Sequence, residues 1–148
     1  MRFSIDTNIL VYATFNQDTA KHQAALRIME RAQDRDCVVT LQALGELFRT
    51  LTRRLKVSAG DATMAVHKWR AAVPVIAANE ACLVEAMDAV VGHQLSFWDA
   101  MMWATIKHTG CGLLLSEDGD DGRRLGGVTW VNPFASPRAP LLRQALGT

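Results

Sequence analysis

Phe3-Ser4-Ile5-Asp6-Thr7-Asn8-Ile9-Leu10 is the stretch that decides the fold. Phe3 and Ile5 alternate with Arg2 and Ser4, as in a strand with one face buried, and the chain then turns through Asp6-Thr7-Asn8 into the apolar run Ile9 to Ala13. That reading puts Asp6 at the carboxyl end of the first strand. Working outward, Ala25, Ile28, Met29 and Ala32 recur at helical spacing, Cys37-Val38-Val39-Thr40 is a short β-prone run, and Leu41, Leu44, Leu47, Phe48, Leu51 and Leu55 form one continuous helical stripe. Strand followed by helix is the repeating unit.

The second half repeats it. Ser58 and Asp61 have capping-box spacing ahead of a helix carrying Ala62, Ala65 and Trp69, and Val73 to Ile76 reads as an edge extension because Pro74 cannot donate to a ladder. Asn79 caps the next expected helix, whose stripe is Leu83, Ala86, Met87 and Val90 and whose stop is Gly92. Phe97 to His108 is apolar nearly all round and is expected to be buried, with Asp99 as its only acid. Leu113 to Leu115 and Val128 to Val131 are the last strand candidates, and the turn from Ser116 to Gly122 between them is rich in acids. Alternating strands and helices without two-residue hairpins predict a three-layer α/β/α sandwich with a mainly parallel central sheet. The 148 residues, 49% hydrophobic, suit one domain over 1–148, with the proline-bearing tail 132–148 peripheral and Leu141, Leu142 and Leu146 available to dock as a short helix.

A net charge of +1 gives no molecule-wide field to name nucleic acid as partner. Cys37, Cys82 and Cys111 are odd in number and lack a CxxC pair, which reads as reduced core thiols in a cytoplasmic protein. No apolar run reaches membrane-spanning length. Nucleophile-elbow, zincin, P-loop and dinucleotide fingerprints are absent, and His22, His67, His93 and His108 have no ligand spacing.

The carboxylates each carry two readings. Asp6 is either the cap of the following helix or an acid at a strand end. Glu46 lies opposite the Leu44, Leu47, Leu51 stripe and shares its face with Arg49 and Arg53, so it is either an i,i+3 partner of Arg49 or a group lining a wet cleft. Asp99 follows Ser96 at capping-box distance, and as a lone charge in a segment headed inward it would be eased by a cation. The turn Glu117-Asp118-Gly119-Asp120-Asp121-Gly122 fails the EF-hand template, since Arg123 and Thr129 fall where a glycine and a glutamate are required. Several carboxylates in one pocket cannot all ionise unaided, but a hard divalent ion reverses that, and oxygen-only ligands point to Mg2+ or Mn2+.

With those residues assembled, the chain resembles the PIN-domain nucleases, and among them the VapC-type toxins of toxin–antitoxin modules. The resemblance is carried by Ile5-Asp6-Thr7-Asn8-Ile9-Leu10, Leu44-Gly45-Glu46-Leu47, Ser96-Phe97-Trp98-Asp99-Ala100 and Leu115-Ser116-Glu117-Asp118. It implies an Mg2+- or Mn2+-dependent endoribonuclease with Asp6, Glu46 and Asp99 as catalytic metal ligands. The fourth catalytic acid is Asp118 in the first rank, with Asp121 also qualifying as a metal ligand and Asp120 a weaker candidate. Thr7, Asn8 and Ser116 resemble the small polar residues that orient the acids. The resemblance further implies an RNA substrate, a cognate antitoxin and a homodimer. Arg49, Arg53, Arg54 and Lys56 form a basic helix end, and Arg123 and Arg124 follow the acidic turn; both groups, Arg49 and Arg53 first among them, are expected to contact RNA phosphates. The chain departs from many relatives at Gly122, where they carry an aromatic residue. The rival reading is a non-catalytic PIN-like module that binds RNA or protein.

Overall fold

The computed structural model describes all residues, 1–148. β1 (Phe3–Ile5) leads through Asp6 into α1 (Thr7–Thr14), followed by α2 (Thr19–Ala32), β2 (Cys37–Thr40), α3 (Leu41–Arg49) and a π-helical turn over Thr50–Arg54. Then come α4 (Ala59–Ala72), β3 (Val75–Ile76), α5 (Glu80–His93), α6 (Phe97–His108), β4 (Leu113–Leu115), β5 (Arg124–Leu125), β6 (Val128–Val131) and α7 (Pro140–Leu146). The strands form one six-stranded sheet in the order β3-β2-β1-β4-β6-β5, parallel throughout except for the β5–β6 pair. Every residue of β1, β2 and β4 is buried, so both faces of the central strands are covered by helices. This is the expected α/β/α sandwich.

Helix starts follow local chemistry. The side chains of Asp6, Asp18, Thr40, Ser58 and Asn79 each accept a hydrogen bond from an exposed amide of the helix that follows. The core is one continuous cluster of 38 buried residues running from Phe3 to Leu146. It includes Leu142, Ala145 and Leu146, so α7 is docked and the tail is less peripheral than its prolines suggest. Cys37, Cys82 and Cys111 are free and buried, and burial pushes the Cys111 thiol up to about 12. No helix is long and apolar enough to cross a membrane.

Five local expectations are corrected. The stripe from Leu41 to Leu55 is broken after Arg49 by the π turn, which periodicity alone does not register. Leu83, Met87 and Val90 face outward, because α5 packs on α6 through the small residues Cys82, Ala86 and Ala89, which permit close approach. The same helix runs past Gly92 to His93 and closes on Gln94 in the left-handed conformation. The first turn of α6 is exposed, with Trp98 60% accessible and Asp99 at the surface, since only the face from Ala100 onward meets the core. Finally, Gly126-Gly127, both at positive φ, join β5 to β6 as a tight antiparallel hairpin, a signal present in the sequence but passed over.

Candidate active site

The strand order reverses at β1: β1 is followed along the chain by β2 on one side, and β4 adds to its other side. A parallel sheet opens a crevice at such a point, beyond the carboxyl ends of the two strands. Asp6 leaves β1 there, and Ser116 to Asp118 leave β4 there. The Asp6 amide still donates to Leu115 O at 2.8 Å, which fixes the two strand ends against each other.

From this crevice a network of short bonds spreads. Asp6 accepts from its own helix at Thr7 N, 2.7 Å, and from the Ser116 hydroxyl at 2.7 Å. Ser116 Oγ in turn accepts from the Asp118 amide at 3.1 Å and from Asn8 Nδ2 at 3.3 Å. Asn8 grips the acidic turn with both ends of its amide: Nδ2 donates to Asp118 at 3.2 Å, and Oδ1 accepts from the Glu117 amide at 3.1 Å. Thr7 reaches the other way, donating its hydroxyl to Glu46 at 2.6 Å. Thr7, Asn8 and Ser116 therefore each touch at least one acid.

Glu46 also accepts from Gln42 Nε2 at 2.9 Å, and the same Gln42 nitrogen donates to Trp98 O at 2.9 Å. Gln42 thus ties the acid of α3 to the first turn of α6, beside Asp99. Glu46 makes no ion pair with Arg49, so the local pairing that helical spacing allows does not form. Gln42 was not singled out in the sequence, although its i,i+4 relation to Glu46 was there to be read. Asp99 accepts from the Ser96 hydroxyl at 2.6 Å; the capping box is therefore inverted, with Ser96 serving the carboxylate instead of the helix amides.

Asp6, Asp99, Ser116, Asp118, Asp120 and Arg123 line a cavity of about 30 Å³ walled by Met102, Leu114 and Trp130. Asp121 is not among them. Its two oxygens accept from the Asn132 amide at 2.8 Å and the Ser136 hydroxyl at 2.6 Å, so it pins the tail to the acidic turn. Asp120 is highly exposed and lies 4.0 Å from Arg123. Glu117 faces a different group: Lys21 pairs with it, and the Lys21 ammonium lies over the rings of Tyr12 and Phe134, which meet edge to face at 5.3 Å.

Electrostatics single out Asp6. Burial pushes its carboxyl up to about 6, against the pull of Ser116 and the Thr7 amide, and the negative charges of Asp99 and Glu46 add to the rise. A cation in the crevice would remove that cost. The carboxylate and hydroxyl donors fit one in kind, being all oxygen, with the Arg123 guanidinium as the one competing cation in the lining. They stand around the cavity instead of converging, and no three acids, histidines or cysteines form a ready-made ligand sphere. Each acid is drawn back by a protein donor: Asp99 by Ser96, Asp118 by Asn8, Glu46 by Thr7 and Gln42.

Beyond Glu46 and Asp118 the crevice opens into a polar cleft of about 360 Å³. Arg49, Thr50 and Arg54 line it, and Arg53 does not. Arg49 of the expected pair thus faces the cleft, joined there by Arg54 of the same basic helix end, while Arg53 stands outside its lining.

The PIN domain family profile matches residues 4–126, which takes in every acid named above. No curated protein matches the sequence. Among solved structures, the chain is similar to Mycobacterium tuberculosis VapC20, described as a Sarcin-Ricin loop cleaving toxin, with 23% identity and a TM-score of 0.67 over 80% of this chain and 91% of that one. It is similar to VapBC-1 from nontypeable Haemophilus influenzae, with 16% identity and a TM-score of 0.63 over 89% and 98%. A toxin–antitoxin complex from Klebsiella pneumoniae matches with 19% identity and a TM-score of 0.62 over 88% and 96%. At these identities the likeness is one of fold.

Proposed function

The chain belongs to the PIN-domain family, and from that premise we propose that it is a divalent-metal-dependent endoribonuclease, the toxin of a toxin–antitoxin module. The observation that carries the reading is that Asp6, Asp99 and Asp118, from three separate segments, line one small cavity at the β1/β4 crevice, with Glu46 joined to it through Thr7. An acid held near pKa 6 by burial and two like charges is costly to maintain without a cation to receive.

In this reading Asp6 and Asp99 are the main ligands and Asp118 completes the set. When bound, Mg2+ or Mn2+ supplies positive charge against the phosphate oxygens and makes water easier to deprotonate. Glu46 faces the adjoining cleft with its carboxylate fixed by two donors, and its task is to orient the attacking water. Ser116 and Asn8 hold Asp6 and Asp118 in place, and Gln42 holds α3 to α6. Asp121 has no part in the chemistry.

The toxin assignment draws on solved relatives described as toxins or toxin–antitoxin complexes. An antitoxin and a second copy of the chain need apolar surface, and Leu83, Val84, Met87, Val90 and Val91 offer it along α5. We assign that stripe to the homodimer; Met87→Asp with Val91→Asp should yield monomers in light scattering, and unchanged dimers would remove it.

Cleavage of structured RNAs by the purified chain, with Mg2+, Mn2+ or chelator, tests the proposal. Activity should need the ion and vanish in Asp6→Asn and Asp99→Asn while both variants stay folded. An Asp99→Asn chain that melts yet cuts normally per folded molecule makes Asp99 a structural residue only. An intact chain that binds RNA and never cuts it, with either metal, establishes the rival, a non-catalytic binding module.

A further inference from the structure

That Arg54 and not Arg53 lines the cleft with Arg49 has a backbone cause. In an α-helix residues five apart point about 140° away from each other, so Arg54 would face away from Arg49. Here the Leu55 amide donates to Thr50 O at 3.1 Å, a bond spanning five residues, and the Val57 amide to Leu51 O at 2.9 Å. The widened turn brings the fifth residue back to the side of the first. Arg49 and Arg54 consequently line the same cleft, and Arg53, which normal helical spacing would have paired with Arg49, is carried out of it. Single π turns of this kind recur at functional sites.

Neither arginine has an ion pair or side-chain hydrogen bond within the chain, although Glu46, Glu117 and Asp118 share the cleft. Those carboxylates are engaged elsewhere: Glu46 by Thr7 and Gln42, Glu117 by Lys21, Asp118 by Asn8. Two unpartnered guanidiniums stand at the mouth of an acid-lined crevice that would otherwise repel a polyanion. Their planar forks suit phosphate.

We propose that Arg49 and Arg54, set on one side by the π turn, grip backbone phosphates of the RNA strand beside the scissile bond, and that Arg53 lies outside the contact. The proposal rests on the nuclease reading above. Binding of a short, fluorescein-labelled, mixed-sequence single-stranded RNA is measured by anisotropy across a salt series, in the Asp6→Asn background so that the RNA stays intact, with the unsubstituted chain assayed for cleavage in parallel.

Each phosphate contact removed should flatten the slope of log affinity against log salt by about 0.7. Arg49→Ala and Arg54→Ala should each do so, their combination by about twice as much, while Arg54→Lys keeps the slope and Arg53→Ala moves it less than half as far. A chain that cuts RNA but whose slope ignores Arg49→Ala and Arg54→Ala overturns the clamp and leaves the nuclease standing. Equal effects from Arg53 and Arg54 overturn the role of the π turn. A chain that neither binds nor cuts RNA overturns both readings together.

Discussion

Asp6 and Asp121 are bonded alike and situated differently. Each accepts one backbone amide and one serine hydroxyl, Thr7 N and Ser116 for the first, Asn132 N and Ser136 for the second, all within 2.6–2.8 Å. Asp121 is exposed to solvent, outside the cavity, and its bonds join the tail to a turn. Asp6 is largely withdrawn from water, faces a cavity shared with Asp99 and Asp118, and has its carboxyl raised to about 6. The hydrogen-bond inventory of an acid therefore does not mark it as functional. What differs is burial and the company of other negative charges, the two terms a bound cation would reverse.

The largest expected contrast lies in activity. Asp6→Asn should lower RNA cleavage on the order of a hundredfold or more, whereas Asp121→Asn should change it by no more than a few-fold, measured as initial rates at saturating Mg2+. Equal losses would erase the distinction between the two sites. Their serine partners give the next contrast. Ser116→Ala releases Asp6, Asn8 and the Asp118 amide at once and should cost about ten- to a hundredfold in rate. Ser136→Ala should leave the rate alone and cost only about 1 kcal/mol of stability by urea unfolding.

The pH dependence of stability is a smaller but sharper contrast. Because the folded chain holds the Asp6 proton up to about 6 while the unfolded chain releases it near 3.8, the folded state binds the extra proton between those values. This group's contribution to stability is therefore highest below that window, falls as pH rises through it, and is level above. In chelator, the parent should lose about 1–3 kcal/mol from this source between pH 4 and pH 7, and Asp6→Asn should abolish the loss and be the more stable protein at neutral pH. Asp121→Asn should cost about 1 kcal/mol in urea unfolding at neutral pH. A parent whose urea midpoint is flat over this range would mean that Asp6 is ordinarily solvated.

The same contrast explains what sequence could and could not show. β1, β2, β4 and β6 were legible from period-two or continuous apolar runs, and Asp6 from its place at a strand end. Asp118 could be ranked first among the acids of its turn, but the different surroundings of Asp118 and Asp121 were not legible, because they depend on how a six-residue turn folds back on Asn8 and on the tail, contacts more than a hundred residues away for Asn8 and fifteen for Ser136. Glu46 looked solvated on its own helix, and it is held at the cleft by Thr7, brought over from α1, together with Gln42. Which arginines line the cleft was not legible for a local reason: a helical wheel assumes one turn length, and the π turn changes it mid-segment. The outward stripe of α5 failed because alanines and a cysteine, weak signals of burial, make the contact with α6.

A crystal structure of the chain soaked in Mn2+, read by its anomalous signal, tests the account at its centre. The predicted result is a peak in the β1/β4 crevice with Asp6, Asp99 and Asp118 drawn in around it, and Asp121 still bonded to Asn132 and Ser136. A crevice without a peak at saturating Mn2+, or an ion held by Asp120 and Asp121 instead, would contradict it.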